Sequence, residues 1–388
     1  MTDPSWSFPG SRWWKFDFHA HTPISTDSCW ARGAAQLAAA DWLRQFMTAG
    51  IDCVAVTDHN SGAWIDQLKA AYSEMRAETT QRQGCEGFRE LTLFPGVEIS
   101  TQGGVHVLAV FDPAAGTSEI DTLLGRVGYA GTKGACDAET SESLQRVIAA
   151  VLELHAIPIL AHADCDKGLL RVNPGTRECV LSAAMVKQAL DVEGLLAVEW
   201  CDLSKPWPEA AQKAAGRVAR VLGSDCHGFE GAGAPGSRYT WVKMADPTLE
   251  GLRLALLDGN EVSLWRSDER SFDPYRVPTD IVSAIEIEKA RYIGNGQSAR
   301  LTLSPFFNAI VGGRGTGKST IVHALRLGAR REQELVNLPE KSEPREHFTS
   351  FRTVAKGRDD NGALRPDTKI RVEWLHGGDR LRMCMSPD

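Results

Sequence analysis

The sequence predicts an α/β protein: a strand-and-helix barrel over roughly the first two thirds of the chain, then a smaller lobe built around a glycine-rich loop. Three observations predict it. Short apolar runs recur, most of them ending in His, Asp or Glu; segments of helical periodicity separate them; and four glycines between 312 and 317 lie between an apolar run and another helical segment. Strand then helix, repeated, is the pattern of a parallel sheet or barrel. Such a barrel delivers side chains to one rim from the C-terminal ends of its strands.

In chain order, the apolar runs are WKFDF, IDCVAVT, LTLFPGV, IPILA and RVLGS, which precede His19, the pair Asp58 and His59, Glu98, His162 and Asp225. Apolar residues three to four apart predict helices over 34–50, 141–156, 183–191 and 247–258. The stretch 228–237, GFEGAGAPGS, predicts a loop at the barrel rim. Residues 267–279 are polar with two prolines and predict a linker, which divides the chain into domains 1–266 and 280–388. In the second, IVSAIEIEKA and ARLTLS alternate like paired strands, and SPFFNAIV runs as a strand into the glycine loop. TKIRVEWLHGGDRLRMCM (368–385) predicts two antiparallel strands joined at HGGD.

Composition sets bounds. With 388 residues, 43% hydrophobic and 24% charged, the profile is that of a globular protein able to bury a large core. The apolar stretches are of strand length and predict no membrane span, and the start MTDPSWSFPG lacks the basic and apolar regions of a signal peptide. The nine cysteines (29, 53, 85, 136, 165, 179, 201, 226, 384) contain no CxxC pair and predict reduced thiols in a cytoplasmic protein. A net charge of −7 gives no global attraction for nucleic acid, so a polyanionic substrate would need local Lys and Arg or bound metal.

Nine candidate ligands fall within 227 residues: His19, His21, Asp27, His59, Glu98, His106, His162, Asp225 and His227. An HxH pair alone is more often two packed histidines; the set of nine points to a metal centre. Carboxylates bridge cations, imidazoles bind through one nitrogen while the other is held from outside, and bound divalent cations lower the pKa of water to about 7 and neutralise a phosphoryl group under in-line attack. Phosphoester hydrolysis suits this inventory. His106, on a predicted strand after two glycines, also reads as an ordinary interior residue. His155 reads as a packed core histidine within a helix, and His323, His347 and His376, without companion ligands, as structural. Cys226 is expected to face away from its neighbours Asp225 and His227.

The segments FHAHTPISTD, VTDHN, PGVEIS, GGVHVLAV, LAHAD and GSDCH, in this order across about residues 12–265, resemble the successive motifs of the PHP (polymerase and histidinol phosphatase) family. The resemblance implies a distorted (β/α)7 barrel with two or three divalent ions, Zn, Mn or Fe, at the strand C-termini. It implies one metal on His19, His21, Glu98 and Asp225, a second on Glu98, His106 and His162, and a third on Asp27, His59 and His227. It places Glu98, Asp225 and His227 in catalysis and Asp58 behind the ligands, orienting one of them. The family often has histidine where this chain has Asp27, and a harder oxygen donor favours Mn or Fe there.

Residues 312–319, GGRGTGKS, fit the P-loop pattern between the apolar run AIV and the helical segment IVHALRLGA. Backbone N–H groups around Gly312, Gly313, Gly315 and Gly317 would wrap the phosphates of ATP, Lys318 would reach the β/γ oxygens, and Ser319, assisted by Thr320, would bind Mg²⁺. The segment resembles the first lobe of an SMC-type, ABC-like ATPase, and with the barrel before it the chain resembles TrlF-like PHP-ATPase proteins. That resemblance implies a homo-oligomer and a second ATPase lobe, in cis or from another chain, because no Asp-Glu strand end or LSGGQ-like signature follows Ser319. The chain is accordingly expected to be truncated or half of a split protein, binding nucleotide but scarcely turning it over. The leading expectation is a metal-dependent phosphoesterase, and specifically a nuclease, governed by an SMC-like ATPase in DNA repair or anti-phage defence. The alternatives are a small-molecule phosphatase acting on a nucleotide or sugar phosphate, and an ATP-switched nucleic-acid-binding module with an inactive barrel.

Overall fold

The computed structural model describes residues 6, 8–32, 37–82, 87–176, 178–293, 297–355, 362–376 and 379–385. Cys85 and the two glycines of the predicted 376–379 turn lie outside them, as does part of the predicted helix 34–50. The chain divides into two compact units, one from Arg12 to Pro274, the other from Tyr275 onward together with residues 5–11. Much of the predicted linker therefore belongs to the first unit, where Phe272 stacks on Trp265 with ring centroids 4.8 Å apart.

The first unit is a mixed α/β fold around a nine-stranded sheet. Its strands are β1 (Arg12–Ala20), β2 (Cys53–Val56), β3 (Thr92–Ser100), β4 (His106–Val110), β5 (Ile157–Leu160), β6 (Ala197–Glu199), β7 (Ala219–Val221), β8 (Thr240–Met244) and β9 (Leu264–Arg266). They lie in the order β7-β6-β5-β4-β3-β2-β1-β8-β9. The sheet is nearly closed. β8 pairs with the first half of β1, while the chain beyond β7 reaches the second half, with Asp225 N–H donating to His19 O and His21 N–H to Cys226 O.

The sheet is not parallel throughout: β8 runs antiparallel to both β1 and β9, and a second reversal bears on the rim. β4 runs antiparallel to both β3 and β5, so the rim receives the beginning of β4 instead of its end. The glycines before His106 are thus the turn of a β3–β4 hairpin, and His106 reaches the rim as the first residue of its strand.

Helices α1 (Ala39–Thr48), α2 (Ile65–Arg82), α3 (Thr117–Arg126), α4 (Leu144–Glu153) and α5 (Ala183–Leu190) cover the sheet, and α6 (Leu249–Asp258) follows β8. The alternation of the strands separates two cores. Phe16, Phe18, Ala55, Phe94, Leu108, Ile159 and Val221 fill one face with Leu252 and Leu256 of α6. Val54, Val97, Val107 and Val198 meet the other helices. His155 departs from its predicted place in a packed helix interior: α4 ends before it, and it sits exposed at φ 57° as the turn leaves the helix. Cys226 is fully buried, on the core side.

The second unit has a four-stranded antiparallel sheet, β10 (Asp280–Glu288), β11 (Ala299–Thr302), β12 (Lys369–His376) and β13 (Asp379–Met385), in the order β11-β10-β12-β13. Helices α7 (Lys318–Gly328), α8 (Gln333–Val336) and α9 (Glu343–Arg352) pack on it. Its core joins Ile285, Ile287, Ile370 and Val372 to Leu327, Phe348 and Phe351. His323 packs against the rings of Phe348 and Phe351, with centroids 5.5 and 5.8 Å away. The expected strand before the glycine loop does not form. Ala309–Val311 belongs to no strand: it joins neither edge of the antiparallel sheet, β11 or β13, and Phe307 and Val311 are 90% and 86% exposed.

Candidate metal centre and phosphate loop

All nine candidate ligands converge at the rim of the first unit, and Glu98 lies at their centre. Its Oε2 is 3.3 Å from His19 Nε2, 3.5 Å from His21 Nε2 and 2.8 Å from His59 Nδ1. Its Oε1 is 2.6 Å from His106 Nδ1 and 2.9 Å from His162 Nε2. Asp225 Oδ1 stands 3.5 Å from His19 Nε2 and 3.3 Å from His21 Nε2, completing one group of four. Asp27 Oδ2 is 3.1 Å from His59 Nε2 and 3.4 Å from His227 Nε2.

Local backbone features deliver these side chains. Between Asp17 and Ala20, β1 advances three residues while β2 advances two, a bulge that turns both His19 and His21 into the mouth. Asp17 Oδ1 accepts the N–H groups of His19 (3.3 Å) and Ser224 (2.8 Å) beside it, and burial still pushes its carboxyl up to about 6. His162 (φ 29°) and Asp225 (φ 54°) adopt the left-handed region that L-residues seldom enter, and such strain clusters at functional sites. Gly223 is required by close approach, since a Cβ there would lie 2.5 Å from His19 N.

Outer hydrogen bonds fix which nitrogen of His19, His21 and His106 faces inward. Ser25 Oγ donates to Asp58 Oδ1 (2.7 Å) and so accepts from His21 Nδ1 (2.9 Å), leaving His21 Nε2 for the centre. Glu199 Oε2 takes His19 Nδ1–H at 2.9 Å. Ser100 Oγ, donating to Cys136 O, accepts from His106 Nε2 at 3.1 Å. The inward atoms then crowd one another: His19 Nε2 and His21 Nε2 are 3.1 Å apart, beside two carboxylate oxygens. Ligand–ligand separations of about 3.0–3.4 Å are what bonds of about 2.1 Å to a shared cation produce. Two further buried atoms, Asp27 Oδ1 and His162 Nδ1, have no hydrogen-bond partner among the described residues.

The electrostatics agree. Burial works against charge on His19, but Glu199, Asp225 and Glu98 outweigh it and raise its pKa well above the usual value. Burial likewise opposes His59, and Glu98 and Asp27 lift it to about 10. Glu98 is held well below the carboxylate range, as His19, His106 and His59 overcome its burial. Burial, reinforced by His227, His59 and His19, holds His21 down at about 3. The pocket calls for positive charge that its histidines can supply only in part.

Sequence reasoning missed several residues here. Glu199 ends the apolar run LLAV, a signal of the same kind as those used, and it binds His162 N–H and Gly223 N–H as well as His19. Ser25 gave no signal beyond its place in the HxH segment. Lys167 and Arg238 border the cavity of about 340 Å³ over the cluster, where Arg238 donates to Ser224 O.

In the second unit, Gly315 (φ 80°) and Gly317 (φ 89°) take left-handed conformations, and Gly317 caps the start of α7. Lys318 Nζ folds back to donate to the carbonyls of Gly312 and Gly313, each at 2.6 Å, and Thr316 Oγ1 donates to Gly313 O at 2.9 Å. Ser319 and Thr320 follow in the first turn of α7.

No protein-family model matches the chain, and no curated protein does. Among solved structures, it is similar to the lesion-specific endonuclease PfuEndoQ from Pyrococcus furiosus, at 15% identity and a TM-score of 0.46 over 70% of this chain and 61% of that one. A complex of Endonuclease Q with a 27-mer duplex carrying an abasic lesion gives 15% identity and a TM-score of 0.42 over 63% and 56%. A Bifidobacterium adolescentis protein assigned as a metal-dependent phosphoesterase gives 18% and 0.37 over 64% and 97%. The matched part thus spans about three fifths of the two endonuclease structures.

Proposed function

We propose that the first unit is a divalent-metal-dependent phosphoesterase acting on nucleic acid, and that the second is the nucleotide-binding lobe of an ATPase that governs it. One observation carries the first part: inward-facing ring nitrogens and carboxylate oxygens stand 2.6–3.5 Å apart while the outward nitrogens of His19, His21 and His106 are bonded elsewhere. These residues fit metal ions. His19, His21, Glu98 and Asp225 would hold one, Glu98, His106 and His162 a second, and Asp27, His59 and His227 a third, with Zn, Mn or Fe as the metals that suit such donors. Bound divalent cations would activate water and offset charge on the phosphoryl group. Lys167 and Arg238, at the edge of the same cavity, would hold its remaining oxygens and orient it.

The glycine loop supports ATP with Mg²⁺ as the ligand of the second unit, because Lys318 occupies loop carbonyls that a phosphate would replace as its partner. Exposed Phe307 and Val311, just before the loop, offer apolar surface to a further ATPase lobe, in cis or from another chain, and to assembly as a homo-oligomer. The preference for a polymer over a nucleotide or sugar phosphate rests on this ATPase reading, as do roles in DNA repair or anti-phage defence. No described helix is long and apolar enough to cross a membrane.

The test is a substrate panel. Metal content is measured by mass spectrometry, and hydrolysis of single- and double-stranded DNA and RNA is compared with that of a small phosphomonoester, with and without ATP. Metal bound through Glu98 together with cleavage of a polynucleotide supports the proposal. A metal-free protein, or one that hydrolyses only the monoester, refutes it.

A further inference from the structure

Beside the metal-ligand cluster lies a second cavity, of about 540 Å³, whose wall includes Asp225 and His227, residues that also border the cavity over the cluster. Its character differs from that of its neighbour. The cavity over the cluster carries Lys167 and Arg238, whereas the second has no Lys or Arg among its described lining residues. It presents instead the rings of Trp30 and Phe229, with the carboxylate of Glu230 beside them. These two are half-buried, with centroids 4.8 Å apart and planes inclined at 56°, so they form an open notch and do not stack flat on each other. Both are anchored against the helix-side core, which fixes them at the rim. Two glycines let the wall pack closely: a Cβ on Gly228 would come within 2.8 Å of Cys29 Sγ, and one on Gly233 within 3.3 Å of Asp225 O.

We propose that this notch is a base-stacking subsite, in which Trp30 and Phe229 hold the nucleobase next to the phosphate presented to Glu98 and its partners. The inference rests on the nucleic-acid reading above and adds a division of labour to it. Cations and metal ligands receive the charged phosphate, while the adjoining aromatic notch, whose only described side chains of fixed charge are the carboxylates of Asp225 and Glu230, disfavours a second phosphate and receives a flat, neutral ring. Stacking accepts the π-face of any base, so the subsite favours substrates whose bases are unpaired at the cleaved position, without choosing among sequences. Trp30 and Phe229 are positioning residues in this scheme.

The experiment uses the full chain loaded with its metal. Single-stranded DNA oligonucleotides are compared with the same strands carrying an abasic spacer beside the cleaved bond, and a 2-aminopurine at that position reports stacking through fluorescence quenching. Phe229→Ala and Trp30→Ala are expected to lose on the order of tenfold or more in kcat/KM on the base-bearing strand, to leave the spacer strand unchanged, and to lose the quenching while keeping their metal. Trp30→Phe and Phe229→Tyr should retain most of both signals, and they carry the comparison if an alanine variant fails to fold. Equal losses on both strands, or wild-type protein that neither quenches 2-aminopurine nor prefers the base-bearing strand, would overturn the subsite while leaving the nuclease reading intact. Hydrolysis of a phosphomonoester without any cleavage of oligonucleotides would overturn both.

Discussion

Replacing Glu199 by Gln tests the outer ring of hydrogen bonds with nearly no change in volume. The carboxylate receives three donors: His19 Nδ1 and His162 N on Oε2, each at 2.9 Å, and Gly223 N on Oε1 at 3.2 Å. An amide has one acceptor oxygen. In its better orientation that oxygen keeps His19 and His162, and the new NH₂ group is left against the N–H of Gly223, donor against donor, in a fully buried place. One such conflict costs about 1–3 kcal/mol, which corresponds to a fall in Tm of about 2–4 °C per kcal/mol for a domain of this kind. His19 also loses the negative charge that makes its inward nitrogen a strong donor, and changes to groups in this position typically cost about 10- to 100-fold in metal affinity. Glu199→Gln is therefore expected to melt a few degrees lower and to bind its metal at least about tenfold more weakly, with hydrolysis restored by excess metal. Glu199→Ala, which orphans all three donors, should be worse on both counts. The assays are thermal denaturation and chelator competition for the metal. A Glu199→Gln protein with unchanged melting and affinity would refute the idea that these outer bonds fix the ligand rings.

Gly223→Ala should cost about 1–3 kcal/mol and lower metal content, because its Cβ would press on the backbone of His19; calorimetry and metal analysis check both. Glu98→Ala should lose metal and hydrolysis together. His155→Gly should keep metal and activity and hold or slightly raise Tm, since the exposed residue sits at φ 57°, where glycine is unstrained; a loss of metal would contradict its place outside the centre. Lys318→Ala should weaken ATP binding in a fluorescent-nucleotide titration while the first unit still hydrolyses an unhindered phosphodiester. Loss of metal in that variant would show that the two sites are not separable.

Which parts of the site were legible follows from the period of a β-strand. Along β3, Phe94 and Glu98 share one face; along β4, His106, Leu108 and Val110; along β6, Ala197 and Glu199. For these a run of alternating residues ending in a ligand type carries the answer, and Glu199 was available by the same rule. The antiparallel course of β4 was not, because two glycines before a histidine announce a turn without fixing the direction of the strand that follows. Helix α2 was passed over for a different reason: over 18 residues it buries only Ile65, Leu68 and Met75 among its hydrophobics, too sparse a stripe for periodicity to register, and its Ala, Glu, Gln and Lys content makes the helix by propensity.

His19, His21 and His162 are the instructive cases, since strict alternation would turn all three away from the centre. Phe16 and Phe18 fill the inner face of β1, so His19 belongs to the outer one until the bulge adds its extra residue; Ile157, Ile159 and Ala161 fill the inner face of β5, so His162 is likewise out of phase until φ 29° redirects the chain. Both distortions go against local preference, one by breaking a ladder and one by straining a backbone, and both are held by contacts from elsewhere. Asp17 ties the bulge to Ser224, and Glu199 holds the N–H of His162. A local rule read along the chain cannot see such restraints, because the residues that impose them lie 37 to 207 positions away. The ligand types were therefore readable from composition and order, whereas the convergence of His19, His21 and His162 depends on two departures from regular structure, each sited where a histidine must be turned to face Glu98.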